Sequence, residues 1–229
     1  NPLASFADVW SQTGLDAASG IPIPEGPTGH TATGGVISDW VDPSPGAVYR
    51  THVFTSSGTF DVTSLSPDYP AHVEYLVVGG GGGGAGNNTI CSGGGAGGLR
   101  SNSETCPSPL RISTTFSVSA SSSYTVTVGA GGMYGEHGSP SPSSAGGNGG
   151  DSQFGPPTGS AGPIRSGGSG GGGAGHNSSP DSDDLAGGQG NAGGSYDGKA
   201  EGNPGGTGGP PGNYGSGGGG GAGGAGGNY

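Results

Sequence analysis

The side chains that could do chemistry in this sequence are five histidines, numerous serines and a short acidic run. The histidines are His30, His52, His72, His137 and His176. Acid–base or nucleophilic catalysis requires paired carboxylates or a Ser/His/Asp set on a rigid scaffold, and no histidine lies in a nucleophile elbow or at a metal-ligand spacing. The run DSDD at 181–184 could attract a hard cation, but it is more typical of a solvated turn. We therefore predict no enzymatic activity, no catalytic residue, no metal site and no cofactor.

The segment VVGGGGGGAG at 77–86 is the motif that most resembles a phosphate-binding loop. A dinucleotide-binding fingerprint must open a helix whose N-terminus holds the pyrophosphate, and NNTICSGGGAGG at 87–98 cannot form one. The Walker motif needs a lysine followed by serine or threonine, whereas alanine follows the single lysine, Lys199. Collagen is excluded too, because glycine does not recur strictly at every third position.

Composition divides the chain into two unlike parts. Glycine accounts for 61 of 229 residues, and only eight of these glycines precede residue 79. Five Lys+Arg against sixteen Asp+Glu give a net charge of −11. Nucleic acids and anionic membrane surfaces bind concentrated basic side chains, so neither is an expected partner. No apolar run approaches the length of a membrane span, and we expect no membrane insertion.

Five short strands are predicted in and beside the first part. The stretch 47–65 alternates apolar and polar residues around Ser56-Ser57-Gly58, which is typical of a β-hairpin. The stretch 71–78 predicts a third strand with both faces buried. The stretches 111–120 and 122–128 predict two more. Because no amphipathic helix separates them, these strands favour a small antiparallel β-sandwich.

The glycine-rich stretches favour ordered packing over a flexible linker. Strands punctuate them, and two strands, YLVV and YTVTV, pass directly into glycine. A polyglycine-II helix has three residues per turn and no internal hydrogen bonds, so its backbone groups must pair with neighbouring helices. Only glycine permits that approach, with alanine or serine tolerated on outer faces, and we expect valine at a mid-run position such as Gly81 to disrupt the packing severely.

The predicted fold class is all-β plus polyglycine-II, with no significant α-helix. A small antiparallel β-sandwich would be continued by a packed bundle of polyglycine-II helices. The predicted organisation is an N-terminal arm at 1–46, a strand-rich base at 47–128 with a glycine insertion at 79–98, and a helix bundle with polar loops at 129–229.

Two cysteines and two sequons suggest covalent modification. Cys91 and Cys106 could form a disulfide closing a loop of about 16 residues, worth about 3 kcal/mol in the chain-entropy model; two unpaired thiols are the alternative. Asn87 and Asn177 each begin an N-glycosylation pattern, which also arises by chance in sequence rich in serine and asparagine.

Several segments together resemble a known family. These are HVFTSSGTFDV, VEYLVVGGGGGGAG, GGGAGGLRS, YTVTVGAGG and the later glycine blocks. They resemble the glycine-rich domain of phage tail fibres and tail-tip adhesins over residues 33–229. The resemblance implies a non-enzymatic protein, extracellular or on the virion surface, whose loops between glycine helices bind a host cell-surface receptor or glycan. Two cysteines are unexpected in a phage protein, because it assembles in a reducing cytoplasm.

The candidate receptor-binding residues are aromatic and polar side chains of those loops, of the kinds common in paratopes. They are Tyr134, Glu136, His137, Tyr196, Asp197 and Tyr214. The alternative is that the tyrosines cover the edges of the glycine bundle.

A second hypothesis is a repeating subunit of a self-assembling extracellular filament or matrix. In it the arm 1–46 joins identical subunits, for example by strand addition. Either hypothesis is compatible with a homo-oligomer.

Overall fold

A computed structural model describes residues 29–41, 48–86, 92–106, 111, 115–136, 145–155, 164–166, 202–203, 205–207, 217–221 and 225–228. It contains eleven short strands. They are β1 (Thr31–Thr33), β2 (Val36–Val41), β3 (Val48–Val53), β4 (Gly58–Ser64), β5 (His72–Val73), β6 (Leu76–Val78), β7 (Leu99–Ser101), β8 (Phe116–Ser117), β9 (Ser122–Thr127), β10 (Ser152–Gly155) and β11 (Ile164–Ser166).

The largest sheet has five strands in the order β1-β4-β9-β10-β11, and all its neighbours are antiparallel. Side-chain alternation explains the two longest of them, because strand residues point to opposite faces in turn. Phe60 and Val62 of β4 are buried, as are Tyr124 and Val126 of β9. Phe60 lies opposite Tyr124 in the register, so both strands present their apolar faces to the same side.

The hydrophobic core combines residues of this sheet with residues of the short strands β6 and β8. Val77 of β6 and Phe116 of β8 join the buried cluster formed by the sheet. The ring centroid of Phe116 is 4.6 Å from that of Phe154, and Phe154 is 5.9 Å from Phe60. Aromatic rings at such separations add to the stabilisation that burial provides, so this cluster stabilises the contacts of β6 and β8 with the sheet.

No helix occurs among the described residues, and their strands lie in antiparallel sheets, which confirms the all-β prediction for that part of the chain. It follows that no described helix is long and apolar enough to cross a membrane. Residues 31–41, assigned from the sequence to the arm, contribute β1 and β2. Residues 152–155 and 164–166, assigned to the glycine bundle, contribute β10 and β11 to the main sheet.

The prediction of a hairpin within 47–65 is wrong. Its first half, β3, pairs with β2, and its second half, β4, pairs with β1 and β9. Gly34 and Gly35 have φ of 109° and 64°, which glycine adopts easily, and they turn the chain from β1 into β2. Ser57 of the predicted turn instead accepts a hydrogen bond from the N–H of Val128 at 3.0 Å.

The strand predicted at 71–78 is divided into two and is not buried on both faces. Leu76 and Val78 are 63% and 51% exposed, and only Val77 between them is buried. The Asn102 side chain lies at the break, donating to the carbonyl of Val73 at 3.1 Å and accepting from the N–H of Tyr75 at 2.8 Å. These bonds replace the strand pairing that the backbone lacks there.

Strands β2 and β3 form a two-stranded ribbon beside the main sheet. All residues of β2 and all but His52 of β3 are exposed. Arg50 donates hydrogen bonds to both carboxylate oxygens of Asp39, at 2.8 and 2.7 Å, and these bonds hold the pKa of Asp39 below its ordinary value. Trp40 stacks on Tyr49 at 4.8 Å.

Candidate binding surface at the ends of the glycine segments

Four glycine-rich segments connect to the strands without an intervening turn. We name them g1 (79–86), g2 (92–98), g3 (129–136) and g4 (145–150). Segment g1 follows β6, g2 leads into β7, g3 follows β9 and g4 leads into β10. Each segment therefore has one end at a strand, where g1 and g3 begin and where g2 and g4 end.

Backbone hydrogen bonds join g1 to three neighbouring segments, and each neighbour is bonded to every third residue of g1. Towards g2, the amides of Gly79, Gly82 and Ala85 donate to the carbonyls of residues 98, 95 and 92, at 2.8 to 3.1 Å. Towards g4, the amides of residues 80 and 83 donate to residues 150 and 147, both at 2.9 Å. The descending partner numbers show that g2 and g4 run antiparallel to g1.

Segment g3 is the third neighbour and runs parallel to g1. The amides of Gly132 and Gly135 donate to the carbonyls of Gly81 and Gly84, both at 2.8 Å. The strand-to-glycine junctions noted in the sequence, YLVVGGGG and YTVTVGAGG, are thus the starts of two parallel neighbours. Residues 202–203, 205–207, 217–221 and 225–228 continue the network, through bonds such as those from the amide of Gly206 to the carbonyl of Gly218 and from the amide of Ala96 to the carbonyl of Gly220.

The three-residue period separates positions that must be glycine from positions that admit a side chain. A Cβ built on Gly80, Gly83 or Gly86 would lie 1.9 to 2.1 Å from a carbonyl oxygen of g3. The same holds in g3 itself, where a Cβ on residue 129 or 132 would lie 2.1 or 2.0 Å from a carbonyl oxygen of g4. At these positions glycine is required by backbone proximity.

A Cβ at Gly81 would not by itself disrupt the packing, so the expected effect of valine there would have to come from its two Cγ atoms. A Cβ there would be 3.6 Å from the nearest heavy atom, the carbonyl oxygen of Gly95, which is an ordinary van der Waals distance. Gly81 belongs to a different phase of the period from Gly80 and Gly83. The position within each group of three therefore decides the effect of a substitution.

The far ends of g1 and g3 lie together and form the candidate surface, which we call the tip: residues 84–86, 92, 133–136 and 145–146. The bond from Gly135 to Gly84 holds the two parallel segments at this end. A Cβ on Gly86 would lie 2.0 Å from the carbonyl oxygen of Gly135, so the contact continues to the last residue of g1.

Two of the predicted receptor-binding residues, Tyr134 and Glu136, lie at the tip, and both are exposed. Tyr134 is 74% exposed, as is its neighbour Met133. The sequence analysis missed Met133. Its signal was the three-residue spacing of Ala130, Met133 and Glu136, which are all exposed and alternate with the inward glycines.

The other predicted residues lie outside the described part of the chain. They are His137, Tyr196, Asp197, Tyr214, the sequon residues Asn87 and Asn177, and Cys91. Cys106 is described and half-buried, but its predicted disulfide partner is not, so the disulfide stays a prediction. Both Asn87 and His137 directly follow tip segments in the chain.

Within the described ranges, no group of three or more His, Cys, Asp or Glu side chains could hold a metal ion. The described tip offers instead a thioether, a phenol and a carboxylate among glycine, alanine and serine residues. Such a surface can stack on and hydrogen-bond to a ligand, and its rigidity comes from the backbone network behind it.

Strands in antiparallel sheets together with hydrogen-bonded glycine segments define a glycine-rich all-β protein. A family model described as "Glycine-rich domain" matches residues 55–229, which is most of the chain. The protein therefore belongs to that glycine-rich domain family. No curated protein and no solved structure matches the chain.

Proposed function

We propose that this chain is a non-enzymatic, extracellular adhesive domain that binds a cell-surface receptor or glycan through the tip, similar to the receptor-binding domain of phage tail fibres. The observation that carries the proposal is the joint position of Met133, Tyr134 and Glu136, all exposed, at the far end of a hydrogen-bonded glycine network. Exposed aromatic side chains on a rigid support lose little conformational entropy on binding.

In this proposal g1 to g4 are polyglycine-II helices. The supporting observation is that successive residues of g1 bond to g2, g4 and g3 in turn, with period three, as three residues per turn require. At about 3.1 Å per residue, eight residues place the tip roughly 25 Å beyond the sheet. The pairs β5–β8 and β6–β7 would form the second layer of a small sandwich, an arrangement supported by their share of the buried core.

The tip suits a neutral or weakly cationic ligand such as a glycan. A sugar ring can stack on Tyr134, and its hydroxyl groups can donate to the Glu136 carboxylate. The chain's net charge of −11 would repel strongly anionic surfaces.

Adhesion to whole cells tests this function. Labelled protein is incubated with a panel of bacterial strains, and retention is compared for the native chain, Tyr134→Ser and Tyr69→Ser. Tyr69 is 50% exposed and follows β4 at the end of the sheet away from the glycine segments, so it is a matched control. We expect Tyr134→Ser alone to reduce retention. Equal retention of the two variants, or no retention of the native chain on any strain, would contradict the proposal.

A filament or matrix subunit is the second candidate. It is favoured by the exposed strand β2, which lies in the arm 1–46 that would join subunits, and by its exposed partner β3. Electron microscopy of the purified full chain separates the two functions, because long homopolymers would identify a filament and discrete particles would argue against one.

A further inference from the structure

The ribbon of β2 and β3 presents one face that is free of charge and open to solvent. Residues directly paired across antiparallel strands share a face. Three pairs make up this face, which we call the neutral face: Val36 with Val53, Ser38 with Thr51, and Trp40 with Tyr49. All six residues are exposed, including Val36 at 67% and Trp40 at 49%. Isolated two-stranded ribbons are only marginally stable in water, so a covering surface would stabilise this one.

The opposite face of the ribbon turns towards the body of the protein at its base. His52 lies there, with Nδ1 2.8 Å from the carbonyl oxygen of Gly34 and its ring centroid 5.0 Å from that of Phe60 in the main sheet. The neutral face therefore points away from the body. It is accessible to a partner without displacement of any described contact.

We infer that the neutral face is a self-association surface, which packs face to face on the neutral face of a second copy of this chain. Charge favours this occupant. The chain carries −11, so two copies repel over most of their surfaces and approach most easily where both are neutral. On the other face of the ribbon the opposite charges of Asp39 and Arg50 compensate each other, because the two side chains form an ion pair at 2.7 Å.

The shape of the neutral face is self-complementary under a two-fold axis. From base to end it carries a small pair, Val36 and Val53, then two hydroxyl residues, then the large stacked pair Trp40 and Tyr49. A two-fold axis that lies in the interface perpendicular to the strands turns one ribbon end for end over the other. Each Trp40–Tyr49 pair then lies over the partner's valine pair, and such large-against-small packing is what close-packed layers require. An isologous contact of this kind is the usual form of a dimer.

The size of the face determines how strong the association should be. Six residues per strand at about 3.4 Å each give a length of roughly 20 Å, and two strands give a width of roughly 10 Å. That footprint is well below the roughly 800 Å² per partner of a stable complex. We therefore expect a concentration-dependent dimer with a dissociation constant of about 10 μM to 1 mM, strengthened where other contacts hold copies together. This inference does not rest on receptor binding at the tip.

Sedimentation equilibrium of the full chain over a concentration series tests the inference. The matched variants are Val36→Ser on the neutral face and Val48→Ser on the opposite face, because these valines are 67% and 68% exposed. We expect the native chain and Val48→Ser to approach twice the monomer mass. Val36→Ser should raise the dissociation constant roughly tenfold, since a two-fold axis places the change in the interface twice.

A second readout is the fluorescence of Trp40. The other of the two tryptophans is removed by Trp10→Phe, and the Trp40 emission should then shift to shorter wavelength as the protein concentration rises. A chain that stays monomeric throughout the series, a trimer, or equal weakening by Val36→Ser and Val48→Ser would each overturn the inference. Adhesion of the Val36→Ser monomer to cells is expected to be unchanged, so failure of the tip proposal would be distinguishable from failure of this one.

Discussion

Replacing Gly83 by alanine should strongly destabilise the glycine segments, whereas the same replacement at Gly81 should be tolerated. The two residues belong to one segment and are two positions apart. A Cβ on Gly83 would lie 1.9 Å from the carbonyl oxygen of Met133, and one on Gly81 would lie 3.6 Å from its nearest neighbour. Since both changes add the same methyl group to nearly the same place in the chain, their effects on the unfolded state should nearly cancel.

The expected loss of stability in Gly83→Ala follows from the distance that g3 must move. Real Cβ atoms essentially never come closer than 3.0 Å to another heavy atom, so g3 would have to shift by about 1 Å. The two bonds from g3 to g1, both 2.8 Å long, would then exceed the range of a hydrogen bond. Each loss leaves polar groups unpaired at a cost of about 1–3 kcal/mol, so we expect a total of about 2–6 kcal/mol. That is a large part of the stability of a typical domain.

At Gly81 the change should be neutral or favourable. Gly81 does not have a positive φ, and alanine in a compatible conformation stabilises by about 0.4–1 kcal/mol through the unfolded chain. Urea unfolding followed by circular dichroism gives both midpoints, and amide exchange of Gly132 and Gly135 reports on the bonds directly. Equal midpoints for the two variants would refute the three-residue phase on which the reasoning depends.

Three further predictions concern the ribbon, the core and the cysteines. The hydrogen bonds from Arg50 lower the folded-state pKa of Asp39. Their pairing should therefore stabilise the ribbon at pH values above the unfolded-state pKa of Asp39, and this stabilisation should be lost as the pH falls through the folded-state pKa. An Asp39 titration midpoint at or above 3.8, measured by NMR, would contradict this. Asn102→Ala should lower the free energy of unfolding by about 1–3 kcal/mol, because it removes the hydrogen bonds to the Val73 carbonyl and to the Tyr75 N–H; an unchanged urea midpoint would argue against that role. Cys91 and Cys106 should show no reactive thiol before reduction, and reduction should lower the free energy of unfolding by about 3 kcal/mol. Two reactive thiols in the native protein would establish the alternative.

Local patterns in the sequence predicted individual strands better than their partners. The alternation of apolar residues correctly placed β4 and β9, because each has one face on the core. It could not show that β3 pairs with β2, since that pairing depends on the glycine turn at Gly34 and Gly35 and on β9 occupying the edge of β4. The apolar run at 71–78 misled for a similar reason, because Asn102, distant in sequence, interrupts it.

At the tip, the sequence predicted the kinds of residue but not their phase. Tyr134 and Glu136 were found from their chemistry. Met133 was missed because a methionine among glycines has no motif of its own. Its exposed position can be predicted only when residues are grouped in threes, and the grouping follows from the hydrogen bonds of g1 to its neighbours.

The same grouping explains how a glycine-rich chain can combine rigid support with variable recognition. In g3, residues 129 and 132 face g4 so closely that they must be glycine, whereas Ala130, Met133 and Glu136 are exposed. Substitution in the exposed phase leaves the backbone bonds of the other phases untouched, because those bonds use no side chain. A scaffold held by side chains lacks this separation, since its packing constrains the very residues that would recognise a ligand. In the proposed adhesive domain, the glycines would therefore leave the residues of the exposed phase free to vary with the ligand.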